Sequence, residues 1–478
     1  MKIIKKVNVL LWIIFLVNLG VRLYLSLNTG NFSGGESYFS LRVIENIIGT
    51  GFPFYYDVLS FSGRELVYMP LFYYVSVIFN VIPYGLKIFP QVIAASTTFL
   101  VYYISFAISK SKTSSLYAAL VASFIPIYFE LTVNKITPYV LFMLVLLVLF
   151  YLLPRLKEKK YVNLFILMSL VLVFTKVYSF IFLLTLIIYS IFIIVEKYNV
   201  ERIKKETLTF TFFLILIINF LVFKEALIQY GFNLLGYKNY FLTSGLLELI
   251  YGLGLPIILL GGLGIYYAIA NPNKDEHVII LLSSLISVVI LILAKVIELK
   301  DGFGFVSIFL GILSVLTIKR IYEYISISKL DHLKKLFSLL IVLFIIGFGV
   351  LPSFTSIGYF DDGDIDDLEW MEANSYGKII IASPVDEGNL ITQIAKRKTV
   401  VDENFLLAPN PDERVEDMDT AFETWSESAA LRIFNKYNAS YIYLSENSKE
   451  KYNIGRLLYG NDEQCFRRER QSVYKIIC

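Results

Sequence analysis

The chain has 478 residues, 56% of them hydrophobic and only 17% charged, and a net charge of +3. Soluble domains average roughly 45–50% apolar and 25% charged residues, so the composition reads as a polytopic membrane protein. So small a net charge, without any long basic run, excludes nucleic acid as a partner.

The first apolar segment, residues 7–25, follows the basic "MKIIKK" and is followed by "LNTGNFSGG", which offers no small-x-small cleavage site. It is therefore expected to be a retained helix with a cytoplasmic amino end, not a cleaved signal. Further runs near the ~20 residues that cross a bilayer fall at 88–108, 115–131, 138–153, 161–175, 178–195, 208–223, 245–269, 278–294, 303–318 and 336–352, about eleven helices in all. The run "LFYYVSVIFNVI" between Pro70 and Pro83 is too short to span. If it lies along the outer surface as an interfacial helix, the basic loops at 109–112, 155–160, 196–205 and 319–335 share one side with the amino terminus. If it crossed, they would not.

An odd number of crossings leaves residues 353–478 outside the cytoplasm. Here "FDDGDIDDLEW" opens an acidic sequence in which helical patterns alternate with the strand-like "KIIIAS", "TVVD", "SYIYLS" and "SVYKII". Such alternation predicts a small α/β domain with a partly parallel sheet. Cys465 and Cys478 both lie in it, and the sequence leaves a disulfide and two free thiols equally open.

Ionisable residues near helix ends, namely Arg22, Glu130, Lys135, Lys176, Lys224, Glu225, Glu248, Lys295, Glu298, Lys300 and Asp301, collect on the expected outer side. Singly, each reads as a snorkelling or solvated side chain; together they describe a polar zone above an apolar body. The near absence of midplane charge argues against an ion-coupled transporter, and the glycines of "GLGLPIILLGGLG" (252–264) fit close helix packing.

The first outer loop, residues 28–70, is long for a membrane connection. Its stretch "SYFSLRVIENII" carries Phe39, Val43, Ile44, Ile47 and Ile48 at helical spacing, with Glu36 near the amino end behind Gly34 and Gly35. An acid there can accept a proton or bind a divalent cation, and Arg42 can hold a phosphate. Spacing alone favours a plainer arrangement, with Glu36 capping the helix and Arg42 paired to Glu45 or Asp57.

"ESYFSLRVIENIIGTGFPFYYD" resembles the first outer loop of the catalytic subunit of oligosaccharyltransferases, in the GT-C superfamily of polyprenyl-phosphate-dependent glycosyltransferases. That family reads Asp-x-Tyr-Tyr/Phe-His-x-Arg and then Leu/Val-x-Glu-Asn; here Glu36 replaces the Asp and Ser40 the His, with Tyr38, Phe39, Arg42 and "VIEN" in register. "SPVDEGNLITQIAKRKTVVDENF" (383–405) resembles the segment around the family's Trp-Trp-Asp-Tyr-Gly motif through Asp386, Gly388, Ile391, Thr392, Arg397 and Asp402. The tryptophans, which serve acceptor recognition in the family, are Pro384 and Val385 here, and the tyrosine is Glu387. Glu130 and Asn134 stand where the family carries a second acid motif, Asp301 opens "DGFGF" without an Arg-Phe pair, and Glu248 is a weak match to the mobile-loop acid.

The resemblance implies a GT-C-like transmembrane domain (1–352) with outer loop 28–70 and an extracytoplasmic α/β domain (353–478) in the cell membrane. It implies an inverting transfer of a sugar or oligosaccharide from a polyprenyl-phosphate-linked donor to a protein, lipid or glycan acceptor on the outer face. The expected catalytic residues are Glu36 and Asp57, with Arg42 and Lys135 at the donor phosphate. Glu130, Asn134, Glu248, Asp386 and Arg397 are secondary candidates. Mg2+ or Mn2+ is the candidate cofactor and Glu36 its candidate ligand. The departures from the motifs keep a non-catalytic membrane scaffold or binding protein as the alternative, with a lipid flippase third.

Overall fold

Helices rich in Leu, Ile, Val and Phe with no polar face must be buried all round or meet lipid. The computed structural model describes residues 2–198, 200–236, 246–271, 274–327, 334–355, 360–377, 379–459 and 465–478. Six of its helices are long and apolar enough to cross a bilayer: Val7–Leu27, Gly85–Ser109, Pro138–Arg155, Arg202–Tyr230, Glu276–Leu293 and Leu299–Ile327. Lys112–Ser123 and Pro126–Thr132 make a seventh if counted as one span; they meet at a bend of 53°, where Pro126 has no N–H for the upstream ladder. The other expected segments also carry helix but are shorter, as in Lys159–Val173 and Ser179–Val195, or are interrupted. Among the described residues, length and composition alone mark six or seven helices as able to cross, and the expected count of eleven is not confirmed.

Leu299–Ile327 threads the centre of the bundle, with 83% of its apolar window buried against 28% for the peripheral Arg202–Tyr230. Gly261 and Gly264 let a neighbouring helix press against its backbone at Leu310 and Leu313, where any Cβ would collide with a carbonyl. That matches the close packing expected of the glycine-rich stretch. The run after Pro70 forms the helix Leu71–Asn80, burying Phe72 and Tyr73 and exposing Ile78.

Residues 28–70, the outer loop of the sequence expectation, are described throughout. Its helix Gly35–Thr50 buries Phe39, Val43, Ile44 and Ile47, and ends at Gly51, whose left-handed backbone (φ 84°) returns its N–H to the Ile47 carbonyl. A short antiparallel pair follows, β1 (Tyr56–Asp57) with β2 (Arg64–Glu65).

The C-terminal residues build a five-stranded mixed sheet. Its strands are β3 (Ile380–Ala382), β4 (Lys398–Thr399), β5 (Tyr441–Tyr443), β6 (Phe466–Arg468) and β7 (Val473–Ile476), in the order β4-β3-β5-β7-β6. The β4, β3 and β5 pairings are parallel; those of β7 to β5 and β6 are antiparallel. Strand β6 and the helix Pro411–Glu423 go beyond the sequence expectation. A disulfide joins Cys465 to Cys478. Among the packing groups of this region are two side chains from the outer loop: Phe61 lies against Phe405, and Tyr38 shares a cluster with Leu390 and Tyr443. Backbone bonds extend the join, since Thr399 donates to the Leu59 carbonyl at 2.9 Å. The loop thus ties the helical bundle to the sheet region.

Candidate active site

Two glycines set the entrance of the outer-loop helix. Gly34 holds a positive φ of 72° with the Lys135 side chain packed over it, and Gly35 lies so close to the Glu403 carboxylate that a Cβ would collide with it. These contacts place Glu36, in the first turn, against both the bundle and the sheet region. Gly49, on the same helix, has open space around it. Gly35→Ala should therefore destabilise the protein by about 1–3 kcal/mol through overpacking, whereas Gly49→Ala should stabilise it by up to about 1 kcal/mol. Thermal unfolding of the two variants checks this; equal melting temperatures would show that the Gly35 contact is not tight.

Glu36 opens onto a cavity of about 650 Å3 between the bundle and the sheet region. Its lining includes the apolar Phe39, Leu131 and Leu299 and the ionisable Lys135, Lys176, Glu298, Lys300 and Asp301; the sheet region adds Asp386 and Glu403. Five of the eleven residues of the polar zone read from the sequence therefore line one space.

Its centre is an ammonium between two carboxylates. Lys176 Nζ lies 3.1 Å from Glu36 Oε1 and 3.5 Å from Asp301 Oδ2, and Asp301 also accepts a hydrogen bond from the Tyr178 hydroxyl. Burial alone would lower the Lys176 pKa, but the Glu36 and Asp301 charges raise it above that of free lysine. The neighbouring Glu298 is pushed up to about 8 by burial and by the Asp301 charge. Glu403 is likewise raised well above the carboxylate range, by burial and by Asp386. Burial and neighbouring carboxylates thus favour the protonated form of both Glu298 and Glu403.

Lys135 differs. Among the described residues it makes no hydrogen bond or ion pair, and burial, with the nearby Lys300 charge, lowers its pKa. It is a desolvated cation without a direct counter-ion, beside Gly34. Lys300 itself is paired with Glu130.

The remaining expected residues fall elsewhere. Arg42 and Asp57, expected at the phosphate and in catalysis, grip each other in a bidentate pair at 2.6 and 2.9 Å, and neither lines the cavity. The Arg42 charge holds Asp57 below the usual carboxylate range despite burial, which opposes it. Asn134 donates to the Asn31 carbonyl (2.9 Å) and to the Ser33 hydroxyl (3.1 Å), pinning the start of the outer loop. Asp386 lines the cavity but pairs with Lys451 at 2.8 Å. Arg397 caps the carboxyl end of helix Asp362–Asn374, donating to the Glu372 carbonyl at 2.9 Å. Glu248 belongs to helix Leu246–Leu253, but its side chain lies outside the described residues. Glu387, at the family's tyrosine position, turns inward to accept from Ser445 and Ser448. Glu403 was missed by sequence reasoning; only its place directly after Asp402 in the second matching segment pointed toward it.

No protein-family model and no curated protein matches the chain. Solved structures do. The oligosaccharyltransferase AglB of Archaeoglobus fulgidus, in complex with an inhibitory peptide and a dolichol-phosphate, aligns over 90% of this chain and 69% of its own at TM-score 0.66 and 13% identity. The A. fulgidus enzyme in complex with Zn and sulfate aligns over 90% and 67%, at 0.63 and 14%. ArnT from Cupriavidus metallidurans, bound to undecaprenyl phosphate, aligns over 97% of both chains at 0.56 and 11%. The chain shares the fold of these oligosaccharyltransferase and ArnT structures.

The Zn in one neighbour raises the question of whether this site suits a divalent cation. Glu36, its expected ligand, is engaged by Lys176, and so is Asp301. Among the described residues no three His, Cys, Asp or Glu side chains are grouped to hold a metal. The donor set does not fit the ion.

Proposed function

We propose that this chain is an inverting membrane glycosyltransferase, moving a sugar or oligosaccharide from a polyprenyl-phosphate-linked donor to an acceptor on the outer face of the membrane. The observation that carries the reading is the presence, in one cavity, of the Glu36 carboxylate and the Lys135 ammonium, which has no direct hydrogen bond or ion pair among the described residues although the Glu130, Glu36 and Glu403 charges favour it from a distance. Among the described residues Glu36 is hydrogen-bonded only through Oε1, and Lys135 is free to meet an anion. The fold supports it, since solved structures of this fold hold dolichol-phosphate and undecaprenyl phosphate. The basic loops support an orientation with the site and residues 353–478 outside the cytoplasm, and a cytoplasmic amino terminus.

In this reading the prenyl tail lies along Phe39 and Leu131 and Lys135 meets the phosphate. The acceptor's nucleophilic atom attacks the anomeric carbon from the side opposite the phosphate. The bond from that carbon to the phosphate oxygen breaks, the electron pair leaves with the polyprenyl phosphate or diphosphate, and the acceptor proton passes to Glu36. Lys135 stabilises the negative charge that develops on the leaving oxygen. The acceptor is a protein, lipid or glycan that enters beside the sheet region; the family's tryptophan positions being Pro384 and Val385 argues against sequon recognition of the family's kind.

The test is release of polyprenyl phosphate or diphosphate from a labelled polyprenyl-linked sugar by the purified protein in lipid nanodiscs, with membrane extract as the acceptor source. Acceptor-dependent release is expected. Its absence, with the donor still bound, would favour the non-catalytic scaffold.

A further inference from the structure

We propose that Lys176 is a built-in replacement for a divalent cation, holding the Glu36 and Asp301 carboxylates together so that the site operates without metal. Its consequence for catalysis rests on the function proposed above; its consequence for metal binding does not.

The geometry is that of a cation site with the cation supplied by the chain. Two carboxylates from separate elements, the outer-loop helix and the start of the central helix, converge on a single Nζ at 3.1 and 3.5 Å. Lys176 comes from a third element, the turn between helices Lys159–Val173 and Ser179–Val195, and its ammonium also lies 4.5 Å from the centre of the Tyr178 ring. The Asp301 and Lys176 side chains are only 11% and 19% exposed, so this charge is not exchanging freely with solvent ions. With no ammonium, Glu36 and Asp301 would repel each other across the cavity, and Glu298 beside them would add a third acid. The Glu36 and Asp301 carboxylates, the two that converge on Nζ, would then offer the oxygen ligands that hard divalent cations favour, with water completing the shell. An ammonium supplies one charge and three donors in place of two charges, which suffices to fix Glu36 while leaving its other oxygen open. Lys176 is thus a positioning residue for Glu36.

The experiment measures Mn2+ binding to the full chain in nanodiscs, from the electron paramagnetic resonance signal of free Mn2+. The wild type and Lys176→Arg should bind none in the cavity, whereas Lys176→Met should acquire a Mn2+ site that Asp301→Asn in the same chain removes. Wild-type binding that is lost in Glu36→Gln would overturn the proposal, and so would failure of a folded Lys176→Met variant to bind. If Lys176→Met does not fold, the wild type and Lys176→Arg still decide the matter. In the transfer assay, EDTA should change wild-type turnover by less than about twofold, and Lys176→Arg should retain more turnover than Lys176→Met. A loss of about tenfold or more with EDTA that Mn2+ restores would also overturn it. A wild type that binds no Mn2+ and transfers no sugar would count against the proposed function while leaving the cation replacement standing.

Discussion

Glu36→Gln should lower sugar transfer by about 10²–10⁴-fold, the range ascribed to a general base, and leave the melting temperature nearly unchanged. The separation of effects follows from the site. The Glu36 side chain is 41% exposed and its pairing with Lys176 uses one carboxylate oxygen, so loss of its charge costs the fold little. Lys176 keeps Asp301 as a partner. An amide at position 36 occupies the same space but accepts no proton, so the defect should lie in turnover. Single-turnover kinetics with a labelled donor measures it; transfer within about threefold of wild type would remove Glu36 from the chemistry.

Asp57→Ala should have the opposite signature. It leaves Arg42 buried without its counter-ion, a loss of about 3–5 kcal/mol when one member of a buried pair is removed. The Arg42 and Asp57 side chains are 10% and 1% exposed, so water cannot replace the missing carboxylate. Unfolding should come at a markedly lower temperature, and the outer loop should lose its hold on the sheet region. The double variant Arg42→Met with Asp57→Leu should recover much of the stability, because an apolar pair of similar volume needs no counter-charge. If the double variant is stable and transfers sugar, the pair is structural. If it is stable and inactive, Arg42 or Asp57 acts on substrate after all.

These predictions also mark what the sequence could reveal. The apolar runs located the helices because length and hydropathy are local properties, and the shortness of the segment after Pro70 was enough to read it as non-spanning. The glycine-rich stretch was read as close helix packing, as the contacts of Gly261 and Gly264 show, whereas the bend at Pro126 was not read because the apolar run passes through that proline without interruption. Glu36 was singled out from its place behind two glycines and from the family resemblance, and Lys135 as one of the charges near helix ends; the structure puts both on the lining of one cavity. The Arg42–Asp57 pair was one of the arrangements that spacing admitted, and the resemblance weighted it down. Lys176 and Asp301 appeared only as separate interfacial charges. Lys176 lies 140 positions from Glu36 and 125 from Asp301, and nothing local says that three chain segments converge there. The helix Pro411–Glu423 was missed because its pattern is weakly apolar, carrying seven acidic or basic residues in "PDERVEDMDTAFE".

The most direct test of the account is a cryo-electron microscopy structure of the chain in nanodiscs with a polyprenyl phosphate. The phosphate should lie within hydrogen-bond reach of Lys135 Nζ, on the Glu36 side of the cavity, with the prenyl chain running along Phe39 and Leu131. A phosphate bound elsewhere on the bundle, or Glu36 and Lys135 facing away from a common space, would contradict it.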